Sequence, residues 1–254
     1  MHATGFLEKE TCVIRGTLEH PDWSAIEAFQ PDVCVHCAWI AAPDEYIHSP
    51  LNARLAKATV DFAHRLETFG LRHFVGMGSC AEYEPSSRAL KECDPEVRNS
   101  TPYVEAKLEV LRFLESTCTS PFAWLRIFYL YGRGEHPGRF LSSTAKALKV
   151  GRGLAIQRPE DLVDYVHVDD AANALWDVVR NGLAGIYNVG SGESRTVASI
   201  AGHLGRLTGH PELVRYEEQK TSISRVADIE KLKATGWRPR RNFVRSLEEI
   251  VATA

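Results

Sequence analysis

The sequence contains no apolar run long enough to cross a bilayer and no long run of basic residues. Its formal net charge is −3 over 254 residues. This charge balance gives no reason to expect nucleic acid or an anionic membrane surface as a partner. The polar N-terminus carries no signal peptide, so a cytoplasmic protein is expected.

Cysteine is present, but a complete metal motif is absent. Cys34 and Cys37 form one C-x-x-C with His36 between them, and no second C-x-x-C completes a tetrahedral zinc site. Strand alternation would send neighbouring side chains of this run to opposite faces. Buried free thiols are the favoured interpretation, because free cysteine is among the most buried residue types. No metal is expected.

The composition and the pattern of apolar residues are typical of an α/β protein. Hydrophobic residues make up 44% of the chain and charged residues 25%, as in soluble globular proteins. Apolar runs of strand length alternate with segments of helical periodicity, which predicts a parallel sheet with helices on both faces. In the first half, strands are predicted at 11–15, 32–38, 71–77 and 122–130, and helices at 23–29, 52–69 and from 103 onward. In the second half, strands are predicted at 155–158, 164–168 and 185–189, and helices at 141–150, 169–180, 197–208 and 244–251.

A serine, a tyrosine and a lysine form the candidate catalytic group. Ser79 follows a buried strand, at the sheet edge where open α/β proteins place their chemistry. Tyr103 and Lys107 lie four residues apart on a helix and project from one face. A nearby ammonium is expected to lower the pKa of the phenol toward the working range, and the serine hydroxyl can hold a substrate oxygen. The alternative for this common helical spacing is a packed tyrosine beside a lysine that reaches to solvent.

Several ordered motifs carry a family resemblance. GSCAEY and YVEAK hold the candidate trio, and VHCAW, RIFYLYGRGE, DYVHVDDAANAL, YNVGSGE and ADIEKLKATGWRPR occur in the expected order. Together they resemble the extended short-chain dehydrogenase/reductases, in particular the NAD-dependent epimerase/dehydratase group that acts on nucleotide sugars. The resemblance implies an incomplete Rossmann-like doubly wound parallel sheet with a smaller C-terminal substrate lobe. It divides the chain into a truncated Rossmann-like domain (1–130, with 161–182 returning to it) and the lobe (131–160 and 183–254).

The resemblance also implies roles for individual residues. Tyr103 would move the hydroxyl proton of the substrate, Lys107 would hold the nicotinamide ribose, and Ser79 would position the reacting oxygen. The implied cofactor is NAD or NADP, and the implied substrate is a nucleotide sugar that undergoes 4-keto reduction or epimerisation. The implied cofactor-binding residues are Ala38, Trp39, Asn52, Tyr103, Lys107 and Phe128. The implied substrate-binding residues are Ser79, Cys80, Arg133 and Arg158.

Departures from the family pattern concern the phosphate groups. The family opens with a strand, a G-x-x-G-x-x-G turn and a helix that hold the cofactor pyrophosphate, whereas Gly5 is the only glycine before Gly16 here. Three explanations stay open: an active enzyme, a catalytically impaired or non-catalytic binding protein, or a natural chain with an upstream strand and glycine loop. On the substrate side, Val163 replaces an arginine of many relatives. The candidates to replace that arginine are Arg133, Arg139, Arg158 and Arg225.

The missing first strands would leave the 32–38 strand with an open edge. We expect either that Thr11–Arg15 pairs with this strand or that a partner chain, such as a second copy in a homodimer, covers it.

Three polar features near the second half have structural interpretations. His167 is expected to order a strand end through a hydrogen bond, and Asp169 and Asp170 to cap or begin a helix rather than bind a metal. Gly190 to Gly192 is expected to form a turn rather than a phosphate loop.

Overall fold

A computed structural model describes residues 11–43 and 45–254 as strands and helices arranged around one parallel sheet and several smaller sheets. The helices are α1 (Trp23–Phe29), α2 (Leu51–Thr68), α3 (Pro102–Ser116), α4 (Phe140–Lys149), α5 (Val168–Arg180), α6 (Val197–Thr208), α7 (Glu230–Lys233) and α8 (Phe243–Thr253). The strands are β1 (Val33–His36), β2 (His73–Ser79), β3 (Phe122–Ile127), β4 (Tyr129–Tyr131), β5 (Leu154–Ile156), β6 (Leu162–Val163), β7 (Tyr165–His167), β8 (Gly185–Val189), β9 (Arg195–Thr196), β10 (Val214–Tyr216) and β11 (Ser224–Arg225). Within the described residues, no helix is both long and apolar enough to span a membrane.

The main sheet has the strand order β1-β2-β3-β8, and all its pairs are parallel. One apolar cluster, which includes Phe74, Leu111 and Trp124, joins this sheet to α2 and α3. A second cluster, which includes Leu125 and Trp237, contains side chains of α5 and α7. The predicted α/β class with a doubly wound parallel sheet is confirmed, because apolar side chains cover both faces of the sheet.

Residues 122–130 and 185–189 differ from the prediction in the sheets to which they belong. The predicted 122–130 strand is divided at Phe128, whose backbone N–H donates to Val189, while the next N–H, that of Tyr129, donates to Asp164. The chain therefore leaves the main sheet after β3 and pairs as β4 with β7. The resemblance implies that Gly185–Val189 belongs to the substrate lobe, but in the structure this segment is β8 and pairs with β3 in the main sheet.

The smaller lobe is built on helices α4, α6 and α8. Leu141, Leu204 and Leu247 are fully buried in its core, together with Phe243. Two small sheets contact these helices. One contains β5 and β10, and the other has the strand order β11-β6-β9. The exact division of the chain into domains stays a prediction.

The strand predicted at Thr11–Arg15 is wrong. Residues 11–17 have no regular structure, and the chain then turns through reciprocal backbone hydrogen bonds between Thr17 and His20. The first version of the edge hypothesis therefore fails, because β1 pairs with β2 alone among the described residues. Val33 and Val35 of β1 are 37% and 41% exposed. A strand needs a ladder partner, and β propensity in a short run does not supply one. The prediction of a partner chain stays untested.

Candidate active site

Ser79 and Tyr103 meet at the carboxyl end of the main sheet. Ser79 is the last residue of β2, and its hydroxyl accepts a hydrogen bond from the N–H of Ala81 at 3.2 Å. Helix α3 begins at Pro102, and the side chain of Thr101 caps it by accepting from the N–H of Val104. This start places Tyr103 in the first turn, where the Ser79 side chain lies close enough to affect its pKa.

Lys107 lies one turn further along α3 and faces an indole ring. Its side chain is 95% buried, and its ammonium nitrogen lies 3.7 Å from the centre of the Trp39 ring and 5.8 Å from that of Tyr103. The Trp39 Nε1–H donates to Oδ1 of Asn52 at 2.9 Å. Asn52 is fully buried and uses its amide group to donate to the carbonyls of Tyr46 and Ser49. The structure therefore brings four predicted site residues into one contact network: Trp39, Asn52, Tyr103 and Lys107.

The pKa values of Tyr103 and Lys107 differ from those expected for an activated phenol. Burial lowers the pKa of Lys107 to about 7, and the nearby Glu82 carboxyl and Cys37 thiol oppose that change. Burial raises the pKa of Tyr103, Glu82 raises it further, and Ser79 acts in the opposite direction. The expected lowering of the phenol pKa is therefore wrong for this arrangement. Desolvation of the phenol is the largest cause of this rise.

A buried ion pair beneath Ser79 is a feature that the sequence reasoning missed. Glu82 and Arg126 are 0% and 2% exposed and lie 2.7 Å apart. The same carboxylate accepts from the Ser79 N–H at 2.7 Å and from Trp124 Nε1 at 3.0 Å. The signal was available, since Ser79 and Glu82 form the S-x-x-E spacing of a capping box, and both of its hydrogen bonds are present. Glu82 thereby fixes the backbone that presents the serine hydroxyl.

A cavity of about 460 Å³ lies beside the open edge of the sheet. Its lining includes Ala38 and the end of β1 on one side, and residues 14–18 on the other. This size is within the usual range for small-molecule sites. Helix α1 begins at the same cavity, but the Asp22 carboxylate caps it by accepting from the N–H of Ala25. A carboxylate at that helix end disfavours a phosphate group there.

The remaining predicted site residues are spread over different environments. Phe128 and Cys80 are 3% and 5% exposed, and both belong to a core cluster rather than to an open surface. Arg133 is exposed. Arg158 holds the Asp161 carboxylate with two hydrogen bonds of 2.5 and 2.9 Å. Its guanidinium group is therefore occupied by a structural ion pair.

Arg225 lies near Cys80 and Tyr129, and Cys80 directly follows Ser79 in the chain. Burial raises the pKa of both groups, and the Arg225 charge opposes that rise. Its buried Nε has no hydrogen-bond partner among the described residues. The sequence offers Arg225 only as one of four candidate arginines, because nothing local distinguishes a partly buried guanidinium from one in solvent.

Two expectations for the polar features hold. His167 caps α5, because its Nδ1 accepts from the N–H of Asp169 at 3.1 Å. The N–H groups of Ser191 and Gly192 donate to the buried Asp164 carboxylate at 2.7 and 2.9 Å. The glycine-containing loop after β8 is therefore a turn around a carboxylate, and these amides are not free to bind phosphate.

The cysteines are free, as expected, but the pair in the C-x-x-C is not fully buried. Cys34 is half-buried and Cys37 is exposed. Both line the cavity at the open sheet edge. The expectation of buried thiols is wrong for this pair, because β1 is an edge strand in the described part of the chain and Thr11–Arg15 does not pair with it.

A Rossmann-like sheet with a serine, tyrosine and lysine at its carboxyl end defines the class of the short-chain dehydrogenase/reductases. A family model described as "NAD dependent epimerase/dehydratase family" matches residues 5–190. The chain belongs to that family. No curated protein matches it.

Solved structures agree on the fold at low sequence identity. UDP-glucose 4-epimerase of Thermus thermophilus in complex with NAD is 21% identical, with a TM-score of 0.79 over 97% of this chain and 85% of that one. dTDP-glucose 4,6-dehydratase of Bacillus anthracis in complex with NAD is 19% identical, with a TM-score of 0.78 over 94% and 78%. UDP-N-acetylglucosamine 4-epimerase of Methanobrevibacter ruminantium in complex with UDP-N-acetylmuramic acid is 21% identical, with a TM-score of 0.77 over 94% and 81%.

Proposed function

We propose that the protein is an NAD(P)-dependent oxidoreductase or epimerase that acts on a nucleotide sugar. The observation that carries the proposal is the meeting of Ser79, Tyr103 and Lys107 at the carboxyl end of the parallel sheet. Family membership and the nucleotide-sugar enzymes among the similar structures support the substrate class. In this proposal Tyr103 donates and accepts the hydroxyl proton, and Ser79 holds the same oxygen by a hydrogen bond.

The nicotinamide side of a cofactor fits the residues of this site. Lys107 would hold the ribose, with Trp39 and Ala38 beside it at the end of β1. The bound cofactor would supply or accept a hydride at a sugar carbon. The names of similar structures include NAD, which supports NAD over NADP. The pyrophosphate side fits less well, because Asp22 caps the helix at the cavity.

Calorimetric titration with NAD(H) and NADP(H) tests the cofactor proposal directly. Micromolar binding is expected for an enzyme whose cavity holds the cofactor. If no heat of binding is detected at millimolar cofactor, the oxidoreductase proposal fails for this chain, and the non-catalytic binding protein becomes the better explanation. A Lys107→Met variant should weaken any binding, since it removes the cation that we assign to the ribose.

Replacement of Tyr103 by phenylalanine tests the proton-transfer role. The variant removes one oxygen and should reduce turnover of a nucleotide sugar by a factor of 10² or more. Tyr46→Phe is the matched control, because the Tyr46 ring lies 4.9 Å from that of Tyr103 in an edge-to-face arrangement. Turnover by Tyr103→Phe equal to that of the control would remove Tyr103 from the mechanism.

For the substrate diphosphate we propose Arg225 in preference to Arg133 and Arg158. The Arg225 guanidinium lies near the thiol of Cys80, the residue that follows Ser79, whereas the Arg158 guanidinium forms an ion pair with Asp161. Arg225→Gln should weaken the binding of UDP or dTDP about 10- to 100-fold, as expected for loss of a charge-assisted hydrogen bond. Arg133→Gln should change it less than twofold. Equal effects of the two substitutions would contradict the assignment.

Among the reactions of the family, reduction or epimerisation is favoured over dehydration. Elimination of water needs a further acid and base besides the phenol. The carboxylate nearest to Ser79 along the chain is Glu82, which is held by Arg126, Trp124 and the Ser79 N–H. It is therefore not available to transfer a proton to a leaving hydroxyl group. A 4-keto sugar nucleotide and NADH are the substrates with which to begin an assay.

A further inference from the structure

Trp39 makes a contact with Lys107 that the proposed reaction does not explain. The ammonium nitrogen lies 3.7 Å from the centre of the indole ring, well within the range of a cation–π interaction. Trp39 also meets the Tyr103 ring edge-on, with 6.5 Å between the ring centres. The indole therefore contacts both members of the helix pair.

A hydrogen bond to Asn52 fixes the position of the Trp39 indole. Its Nε1–H donates to Oδ1 of Asn52 at 2.9 Å. Asn52 is fully buried, and its amide nitrogen donates to the carbonyl oxygens of Tyr46 and Ser49 at 2.6 and 3.0 Å. Because both ends of the Asn52 amide are occupied, the indole has a fixed support and its π face is directed at Lys107.

We propose that Trp39 is a positioning residue for Lys107, whose ammonium group it holds beside Tyr103 in the charged form. The inference deepens the proposed function, since a charged Lys107 is what stabilises a phenolate. Burial alone disfavours the ammonium, because Lys107 is 95% buried and no carboxylate forms an ion pair with it among the described residues. The indole face replaces part of the lost hydration without adding a negative charge that would oppose the phenolate.

Other groups that face Lys107 have effects of known direction. On its own helix the neighbour is Tyr103, and after β2 it is Glu82, whose carboxylate favours the ammonium. Cys37, the residue after β1, also favours the charged form of Lys107 when its thiol is ionised. His36, the last residue of β1, has its pKa lowered mainly by burial and further by the Lys107 charge. A variant at Trp39 leaves all four groups in place, so a change in Lys107 titration is assigned to the indole.

The test is the titration of Lys107 in the full chain without cofactor or substrate. In protein labelled with ¹³C at the lysine Cε, one signal should titrate near pH 7, far below the ordinary lysine value of about 10.4. A Lys107→Met variant assigns that signal. Trp39→Leu, which keeps an apolar side chain but removes the π face, should lower the pKa by roughly one pKa unit. Trp39→Phe keeps a π face and should lower it less than Trp39→Leu does.

An unchanged pKa in Trp39→Leu would overturn the inference. A rise toward 10.4 would also overturn it, because the indole would then act only as a cover that excludes water. Neither result would bear on the oxidoreductase proposal, since no cofactor or substrate is present in the titration. If Trp39→Leu does not fold, the smaller change expected in Trp39→Phe is measured against the wild type, and an unchanged or raised pKa there overturns the inference. Conversely, failure of NAD binding would leave the titration result intact.

Discussion

Loss of the Glu82 carboxylate should destabilise the protein strongly. In Glu82→Gln, one oxygen becomes an NH₂ group in a site that offers only donors: the Ser79 N–H, Trp124 Nε1 and Arg126 Nε. Arg126 is 2% exposed, and Glu96, at 3.7 Å, is then the one carboxylate left in contact with its charge in the described part of the chain. Removal of one partner of a buried ion pair costs about 3–5 kcal/mol of unfolding free energy. The remaining amide oxygen can accept from the Ser79 N–H or from Arg126 Nε, but it no longer holds both. In the proposed reaction, turnover should therefore fall along with stability.

Urea unfolding at neutral pH, followed by circular dichroism, measures the effect. The matched control is Glu19→Gln, which breaks the exposed ion pair with Arg54, of similar length at 2.8 Å. An exposed pair contributes at most about 1 kcal/mol. The double variant Glu82→Gln with Arg126→Met should cost less than the sum of its single variants, because the uncompensated charge is removed. If Glu82→Gln loses no more stability than the control, the buried ion pair does not have the role assigned to it.

Two further predictions concern the residues around the trio. Burial lowers the pKa of His36 from 6.5 to about 4, so the unfolded chain binds a proton first as pH falls. The unfolding free energy should therefore decrease from pH 6.5 downward by as much as roughly 3 kcal/mol at pH 4, and His36→Asn should reduce that slope in a pH series of urea titrations. A Cβ at Gly78 would lie 2.7 Å from Oε1 of Glu82, so Gly78→Ala should cost at least about 2 kcal/mol. Gly153→Ala, whose Cβ would make only one ordinary contact, should cost less than about 1 kcal/mol, and equal losses in the two variants would contradict the steric reason.

Local signals were sufficient for much of the fold. Helix α1 covers the predicted range Trp23–Phe29 and is capped by Asp22, and α3 begins at Pro102 behind a capping threonine. The Thr11–Arg15 run failed because a strand depends on a partner that local sequence does not specify. Ser79, Tyr103 and Lys107 could be grouped from sequence because the resemblance and the helical spacing place them together.

Contacts between distant segments could not be predicted in the same way. The indole of Trp39 reaches Lys107 only because Asn52 holds it, and neither residue carries a spacing signal that relates it to α3. Glu82 is the exception, since the S-x-x-E spacing with Ser79 was visible in the sequence. Its partner Arg126 was not, because β2 and β3 become neighbours only in the folded sheet.

The trio is best understood as one coupled titration rather than as three separate groups. Among the described residues, the negative charge of Glu82 is paired with Arg126, so a phenolate at Tyr103 would be a new buried charge without a partner. Lys107 is the nearest cation on the same helix, and burial lowers its pKa to about 7, so its charge changes around neutral pH. Ionisation of Tyr103 therefore depends on protonation of Lys107, and the two protons belong to the pair. If the proposed reaction takes place, the pH dependence of turnover should therefore report the state of this pair and of the indole beside it, and not that of the phenol alone.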